Sequence, residues 1–171
     1  MTAQNLPDAE ILLVELTKKM QPCVNANSAL VGIHTGGVWL AQRLHKSLNI
    51  AHPLGSLDVS FYRDDFGKIG LHAQTKSSDI PFEVEGRDII VIDDVLYTGR
   101  TIRAAMNELF DYGRPASIKL ACLVDRGGRE LPISADFVGV TLALAAEEEL
   151  VLEQAGDLLR LHKQKKAQAK M

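Results

Sequence analysis

The sequence has little cysteine, few aromatic residues and no long hydrophobic run, and each shortage excludes a class of protein. Two cysteines in 171 residues are too few for a disulfide framework. Aromatic residues make up 5% of the chain, and no apolar stretch is long enough to span a bilayer. The first residues contain neither the basic nor the apolar region of a signal peptide. We therefore expect a soluble, cytoplasmic protein with no membrane partner.

An excess of charge of either sign is also lacking. The chain has 19 Lys and Arg against 22 Asp and Glu, so its net charge is −3. This balance excludes a globally basic surface for nucleic acid, although it leaves room for a local basic face. The hydrophobic and charged fractions, 46% and 24%, are typical of globular proteins. The length predicts one domain over residues 1–171.

Several catalytic and metal-binding motifs are absent as well. The five histidines occur in neither a His-Glu-x-x-His pattern nor a Cys/His zinc pattern. No nucleotide P-loop, no Gly-x-Gly-x-x-Gly dinucleotide motif and no Gly-x-Ser-x-Gly nucleophile elbow is present. The sequence therefore predicts neither a structural zinc nor a covalent nucleophile.

The hydrophobic pattern that is present alternates between strands and helices. It predicts helices over residues 8–20, 38–48 and 101–112, and strands over residues 29–33, 57–61, 88–92 and 118–124. Two short strands are also predicted over 149–153 and 158–161, at the edge of the sheet. Repeats of this kind indicate an α/β fold with a mostly parallel sheet, in which ligands bind at the carboxyl ends of the strands.

An acidic pair and a glycine-containing turn follow the clearest predicted strand. Asp93 and Asp94 leave that strand, and the turn opens the next helix. Backbone N–H groups, the Thr98 and Thr101 hydroxyls and the helix N-terminus would converge on a phosphate dianion. The carboxylates would accept hydrogen bonds from a sugar diol or hold Mg²⁺ through water. A phosphate beside a diol is a ribose 5-phosphate, and an Asx-turn before an ordinary helix is the alternative.

This run, Asp93 to Thr101, resembles the 5-phosphoribosyl-1-pyrophosphate (PRPP) signature of the type I phosphoribosyltransferases. Residues 61–65, 113–115, 124–127 and 129–133 extend the resemblance to the PyrR group within that superfamily. The resemblance implies a central, mostly parallel sheet flanked by helices, with a flexible lid loop and a small hood. It also implies transfer of the phosphoribosyl group from PRPP to uracil, giving UMP and pyrophosphate, and UMP-dependent binding to pyrimidine-operon mRNA.

The same resemblance implies roles for individual residues. Asp93 and Asp94 would bind the ribose hydroxyls and, through water, the Mg²⁺ carried by PRPP, with no direct metal ligand. The ribose 5-phosphate would lie in the loop formed by Val95, Leu96, Tyr97, Thr98, Gly99, Arg100 and Thr101. Pyrophosphate would lie against Thr35, Gly36 and Gly37, and uracil against Val124, Asp125, Arg126 and Gly127.

A long polar stretch, residues 62–79, separates two predicted strands. Its length is typical of a lid or a binding loop, and a solvated polar loop is the alternative. The resemblance implies a flexible lid that keeps water from an oxocarbenium-like ribose. Arg63 is the candidate catalytic contact to the departing pyrophosphate.

Two positions depart from the pattern of the group. Gly36 stands where an arginine is common, so we expect weaker pyrophosphate binding unless Arg63 or another basic residue compensates. Gly128 stands where a histidine is usual.

The N-terminal helix and the C-terminus bear on RNA binding and assembly. Compared with the regulatory members of the group that the chain resembles, Leu12, Leu13 and Leu16 fall at positions attributed to RNA contact, and an apolar stripe cannot neutralise phosphates. The stripe suits packing on the sheet or a subunit contact, and we expect a homo-oligomer, a dimer or larger. Residues 163–171 form a basic tail, either in contact with RNA or a solvated, frayed helix end.

Three functional hypotheses follow from these features. The first is a uracil phosphoribosyltransferase that uses PRPP and Mg²⁺. The second is an RNA-binding transcription attenuator that uses the cleft only to sense UMP. The third is the same transfer to a purine base, because the phosphate and diol elements carry no information about the base.

Overall fold

A five-stranded parallel sheet between two layers of helices makes up most of the structure. The computed structural model describes residues 5–59 and 78–167. Its strands are β1 (Ser28–Ile33), β2 (Gly55–Leu57), β3 (Asp88–Leu96), β4 (Ser117–Asp125), β5 (Phe137–Thr141), β6 (Glu148–Ala155) and β7 (Leu158–Lys165). Its helices are α1 (Ala9–Met20), α2 (Gly36–Ser47) and α3 (Arg100–Asp111), with a 3₁₀ turn at Gln21–Cys23. None of these helices has the length and apolar content needed to cross a bilayer.

The strand order is β2-β1-β3-β4-β5, and every neighbouring pair is parallel. The chain crosses from β1 to β2 on one side of the central β1–β3 pair and from β3 to β4 on the other side. Because both crossovers are right-handed and run in opposite directions, α2 and α3 lie on opposite faces of the sheet. The carboxyl ends of β1 and β3 therefore border a crevice between the starts of the two helices. In open parallel sheets this switch point is where ligands bind.

Each face of the sheet has its own hydrophobic core. On one face, α1 and α2 pack on alternate residues of β1, β3 and β4, and the predicted stripe of Leu12, Leu13 and Leu16 is buried there. On the other face, α3 buries Ile102, Ala105 and Leu109 against the remaining residues of the same strands. The stripe on α1 is thus used for packing on the sheet, one of its two predicted roles.

Most of the predicted elements are present, but several bounds were wrong. Strand β3 continues four residues beyond 92, because its pairing with β4 extends to Leu96. Helix α2 begins at Gly36, two residues early, because glycines let its first turn approach β3 closely. Strand β2 covers Gly55–Leu57, so residues 58 and 59 of the strand predicted over 57–61 are not part of it, and residues 60 and 61 lie outside the described residues. Strand β5, with its mostly half-buried residues, was not predicted.

The two C-terminal strands form a separate antiparallel hairpin, here called the C-terminal hairpin (residues 148–165). The predicted position at the sheet edge was wrong, because β5 pairs with the edge of β4 and the two strands pair with each other. Leu150, Leu152 and Leu159 bury the hairpin against the core on the α1 side. It is the candidate for the predicted hood, and residues 163–165 of the predicted basic tail belong to its second strand rather than to a helix end.

Residues 60–77 lie outside the described residues, so most of the predicted lid and Arg63 do too. The described flanks of this segment contact each other. The backbone N–H of Asp58 donates to the Ser78 hydroxyl over 3.0 Å, and Asp79 pairs with Ser56 in an antiparallel bridge. The described residues on the two sides of this segment therefore lie beside β2.

Candidate active site

The acidic pair lies at the carboxyl end of β3, at the switch point of the sheet. Asp93 and Asp94 are part of the strand rather than following it. Asp93 is only 5% exposed and accepts a hydrogen bond of 2.9 Å from the backbone N–H of Asp94. Asp94 in turn accepts one of 2.8 Å from the N–H of Val95. Each carboxylate is thus bonded to the N–H of the residue that follows it, at the end of the strand that borders the crevice.

The glycine pair after β1 lies directly against the acidic pair. A Cβ atom added to Gly36 would overlap Oδ2 of Asp94 and lie 2.9 Å from its Cγ. A Cβ on Gly37 would overlap the carbonyl oxygen of Ile92 and lie 3.2 Å from the Cα of Asp93. The close approach of the two strand ends therefore requires glycine at both positions. The arginine common at position 36 would displace Asp94 from its place in this structure.

The segment that runs from the end of β3 into the first turn of α3 (residues 95–101, the phosphate loop) is held by several local hydrogen bonds. Gly99, the N-cap of α3, has φ 92°, a left-handed conformation that favours glycine. The Thr98 hydroxyl accepts a hydrogen bond of 3.2 Å from the N–H of Arg100. The Thr98 carbonyl accepts bonds from the N–H groups of Glu130 and Leu131, at 3.0 and 3.2 Å. The N-terminus of α3 is thereby held at the crevice, where its dipole and N–H groups favour an anion.

Arg129 joins the phosphate loop to the end of β4, a role that sequence reasoning missed. Its guanidinium donates to the carbonyl of Tyr97 over 2.7 Å, to Oδ2 of Asp125 over 2.5 Å and to the carbonyl of Ile133 over 2.7 Å. The only signal in the sequence is an arginine four residues after an aspartate. Three acceptors from three segments suit the fork of a guanidinium.

The environment of Asp125 favours its charged form. Burial raises the pKa of this carboxyl, but hydrogen bonds from Arg129 and from the N–H of Gly127 lower it by more. The net effect is a pKa below the ordinary value. Asp125 therefore keeps its charge, and its bond to Arg129, through the neutral pH range.

Arg126 connects the end of β4 to the C-terminal hairpin. It is 9% exposed and donates to the carbonyls of Glu148 and Ala145, at 2.9 and 3.3 Å. Its Cζ atom lies 4.0 Å from the centre of the Tyr97 ring. In the part of the chain that is described, its Nε is buried without a hydrogen-bond acceptor. Most of the guanidinium is thus engaged within the protein.

The other predicted base-binding residues differ in what they present. The Val124 side chain is fully buried in the core, so only its backbone is near the crevice. Gly127 has φ 72°, and its N–H donates to Oδ1 of Asp125 over 2.9 Å. This segment therefore offers mainly backbone groups to a ligand.

The donor set suits a magnesium ion that arrives with its substrate. Within residues 5–59 and 78–167, no three His, Cys, Asp or Glu side chains cluster as a protein-made metal cage. The adjacent carboxylates of Asp93 and Asp94 lie beside the phosphate loop. Mg²⁺ is typically bound through one or two carboxylates, substrate phosphates and retained waters. The residues present fit that mode.

The crevice brings together most of the predicted site residues. Gly36 contacts Asp94, which joins the first predicted loop to the acidic pair. Arg129 joins the phosphate loop to the predicted base-binding segment. Thr35 is exposed beside the glycine pair. Arg63 lies outside the described residues, so its predicted contact stays a prediction.

Comparison with known proteins defines the class. The phosphoribosyl transferase domain family matches residues 3–151. A hypoxanthine phosphoribosyl transferase of Trypanosoma cruzi shares the fold, with a TM-score of 0.64 and 22% identity over 84% of this chain and 80% of its own. A Staphylococcus aureus hypoxanthine phosphoribosyltransferase aligns with a TM-score of 0.56 and 25% identity over 78% and 70%. The predicted fold class is confirmed.

More similar relatives specify the family. The bifunctional protein PyrR of Pseudomonas savastanoi pv. phaseolicola is 53% identical over 156 residues, covering 86% of this chain and 89% of the relative. The bifunctional protein PyrR of Nitrosococcus oceani is 54% identical over 143 residues, covering 82% and 81%. The chain belongs to the PyrR family of phosphoribosyltransferases, as the motifs predicted.

Proposed function

We propose that this protein transfers the 5-phosphoribosyl group of PRPP to uracil and releases pyrophosphate. The observation that carries the proposal is the contact between the glycines at the start of α2 and the acidic pair of β3, beside the start of α3. Three parts of a binding site border one crevice there. They are the acidic pair for a diol, the start of α3 for a phosphate, and the glycine pair for a second anion. A ribose that carries a phosphate at one end and a pyrophosphate at the other has the matching groups.

Different residues of the chain would bind different parts of PRPP. Asp93 and Asp94 accept hydrogen bonds from the two ribose hydroxyls and hold the ring in place. The phosphate loop binds the 5-phosphate through N–H groups at the start of α3. Thr35 and the backbone of Gly36 and Gly37 face the pyrophosphate.

The reaction breaks one bond and forms another at C1 of the ribose. The bond from C1 to the pyrophosphate oxygen breaks, a bond from C1 to a uracil nitrogen forms, and that nitrogen loses its proton. Asp93 and Asp94 would hold Mg²⁺ through water, and the ion would supply positive charge to neutralise the departing pyrophosphate. The chain itself orients the reactants, which supplies a large part of such a rate enhancement. Arg63 is proposed to contact the pyrophosphate.

Uracil is proposed as the base because the end of β4 offers backbone groups rather than a large side-chain pocket. The Arg126 guanidinium is bonded to the hairpin, and the Val124 side chain lies in the core. Backbone N–H and carbonyl groups of residues 124–127 can match the alternating carbonyl and N–H edge of a pyrimidine. A purine base stays the rival substrate.

The test is a product assay with each base and one matched pair of variants. Purified protein with PRPP and Mg²⁺ is expected to form UMP from uracil, and no nucleotide from hypoxanthine, guanine or adenine. Asp94→Asn is expected to reduce kcat roughly a hundredfold, because the ribose is no longer held in position. Asp111→Asn, an equal charge change at the exposed end of α3, serves as the control. Product from a purine alone, or full activity in Asp94→Asn, would contradict the proposal.

We propose RNA binding as the second activity, because the relatives named above are described as bifunctional. On α1 the ammonium of Lys19 donates to the carbonyl of Val138 over 2.6 Å, while Lys18 is exposed. We expect UMP to strengthen binding to pyrimidine-operon leader RNA, with an affinity that falls as salt rises. An affinity for the leader RNA that does not change when UMP is added would contradict this proposal.

Assembly into a homo-oligomer is a further proposal. The buried stripe of α1 no longer supports it, since those leucines pack on the sheet. Ile11 and Val14 on the same helix are 64% and 54% exposed and are the apolar residues available there for a subunit contact. A mass measurement by light scattering tests it, and a monomer at micromolar concentration would exclude it.

A further inference from the structure

The Tyr97 ring is the meeting point of three separate segments. The guanidinium carbon of Arg126 lies 4.0 Å from the ring centre, and the ammonium of Lys166 lies 4.9 Å from it. Both distances are within the range of a cation–π interaction. Arg126 follows β4, Lys166 follows β7, and Tyr97 belongs to the phosphate loop. The ring therefore contacts cations from two other parts of the fold.

Gly128 makes room for this position of the ring. A Cβ atom on Gly128 would overlap Cε2 of Tyr97 and lie 2.9 Å from its Cδ2. Gly128 also has φ 78°, a conformation that residues with a side chain rarely adopt. The backbone of Tyr97 is held independently, because its carbonyl accepts from Arg129 over 2.7 Å. The ring can therefore be altered without removing the bond that fixes the loop.

Both cations are attached to the C-terminal hairpin. Arg126 donates to the carbonyls of Ala145 and Glu148 at the start of β6. Lys166 directly follows β7, and its N–H donates to the carbonyl of Glu147 over 2.8 Å. Movement of the hairpin away from the core would therefore pull both cations from the ring. The stack thus joins the hairpin to the phosphate loop.

We propose that Tyr97 is a positioning residue that couples the C-terminal hairpin to the phosphate loop through Arg126 and Lys166. The consequence rests on the proposed function: when PRPP binds to the phosphate loop, the ring is held more tightly and the hairpin closes more firmly. The hairpin in turn stabilises the conformation of the loop that binds PRPP. Coupling of this kind is reciprocal, so a change in the hairpin alters PRPP affinity.

The first test measures the hairpin without any ligand. Hydrogen exchange of the amides in residues 148–165 is expected to be about two- to fivefold faster in Lys166→Gln than in wild type, the size of one exposed cation–π contact. Lys165→Gln is the matched control, since it removes the same charge from an exposed neighbour. Amides of β1 should exchange alike in all three proteins. Equal hairpin exchange in the two variants would overturn the proposal.

A second pair of variants isolates the ring. Tyr97→Phe keeps an aromatic face and should retain wild-type hairpin exchange, whereas Tyr97→Leu removes the face and should accelerate exchange more than Lys166→Gln does. Identical exchange in Tyr97→Phe and Tyr97→Leu would show that the ring is not the link and would overturn the proposal. If Tyr97→Leu fails to fold, the lysine pair decides.

The third measurement separates this proposal from the proposed function. PRPP with Mg²⁺ should slow hairpin exchange in wild type, and its dissociation constant should rise about two- to fivefold in Lys166→Gln but not in Lys165→Gln. If PRPP does not bind at all, the proposed function fails, while the ligand-free comparison still supports the stack. If PRPP binds and the two lysine variants bind it equally, the coupling is overturned and the proposed function stands.

Discussion

At the scale of single residues, Gly36 and Asp94 share one small space although they belong to different strand ends. Any side chain at position 36 must push the Asp94 carboxylate away, because its Cβ would overlap Oδ2. A short carboxylate can rotate aside, so the fold would survive while the site changes. Gly37 is different, because its Cβ would meet the rigid backbone of Ile92. Gly36 is therefore needed for the position of the Asp94 carboxylate, whereas Gly37 is needed for the packing of α2 against β3.

We expect Gly36→Ala to reduce turnover by tenfold or more, with only a small change in unfolding temperature. Displacing the carboxylate that we propose to bind the ribose diol by about 1 Å is enough for a loss of this size. Gly37→Ala, one residue further, should instead lower the unfolding temperature, since α2 must shift away from β3. Steady-state kinetics and thermal unfolding of both variants distinguish the effects. Wild-type turnover in Gly36→Ala would mean that Asp94 does not need its observed position.

At the scale of elements, the ends of β3 and β4 are tied together by one side chain. Arg129 bonds to the phosphate loop, to Asp125 at the end of β4 and to the carbonyl of Ile133. The loops that would bind phosphate and base are therefore not independent. A change in either loop is transmitted to the other through a charged, partly buried hydrogen-bond network.

Removing Arg129 should make stability depend less on pH below neutrality. The Asp125 pKa is lowered in the folded protein, so its ion pair stabilises the fold above the unfolded pKa, about 3.9. That contribution is lost as the pH falls through the folded pKa. Arg129→Gln is expected to cost about 2 kcal/mol at pH 7, and less at pH 3. Urea unfolding at both values measures the difference.

The control for this experiment is Lys18→Gln. Lys18 lies 3.6 Å from Glu15 in an exposed pair on α1, so its loss should cost under about 1 kcal/mol at pH 7. A cost of Arg129→Gln that is the same at pH 3 and pH 7 would indicate that its bonds to the carbonyls, rather than the ion pair with Asp125, supply the stability.

At the scale of the whole molecule, the strand order decides where the chemistry occurs. The reversal of direction at the β1–β3 pair puts α2 and α3 on opposite faces and leaves a crevice between their first turns. The C-terminal hairpin covers part of the core beside that crevice and is bonded to the end of β4 through Arg126. A ligand in the crevice would touch β1, β3 and β4 together and so stabilise the entire fold.

We expect PRPP with Mg²⁺ at a hundred times its dissociation constant to stabilise the protein by about 2.7 kcal/mol. For a chain of this size that corresponds to a rise of roughly 5–10 °C in unfolding temperature. Adding EDTA should remove most of the shift, because the pyrophosphate would then enter without its counter-ion. Asp94→Asn is expected to show little shift at the same concentrations. A full shift in EDTA would contradict the role proposed for Mg²⁺.

The local pattern of the sequence determined the strands β1, β3 and β4, the three helices and the position of the acidic pair. Hydrophobic periodicity, Asp93 and Asp94 and the glycine turns are short-range signals, and a parallel sheet follows from their alternation. The family motifs added the predictions that residues 95–101 bind the phosphate and that residues 124–127 bind the base.

Only the tertiary structure decided which of these parts touch. The close approach of Gly36 to Asp94, the three bonds of Arg129 and the stack on Tyr97 join residues that are distant along the chain or belong to different loops. The pairing of β6 with β7, rather than with the main sheet, was likewise fixed by β5 occupying the edge of β4. Such contacts depend on strand order and on close packing between elements, and neither leaves a periodic signal in a single sequence.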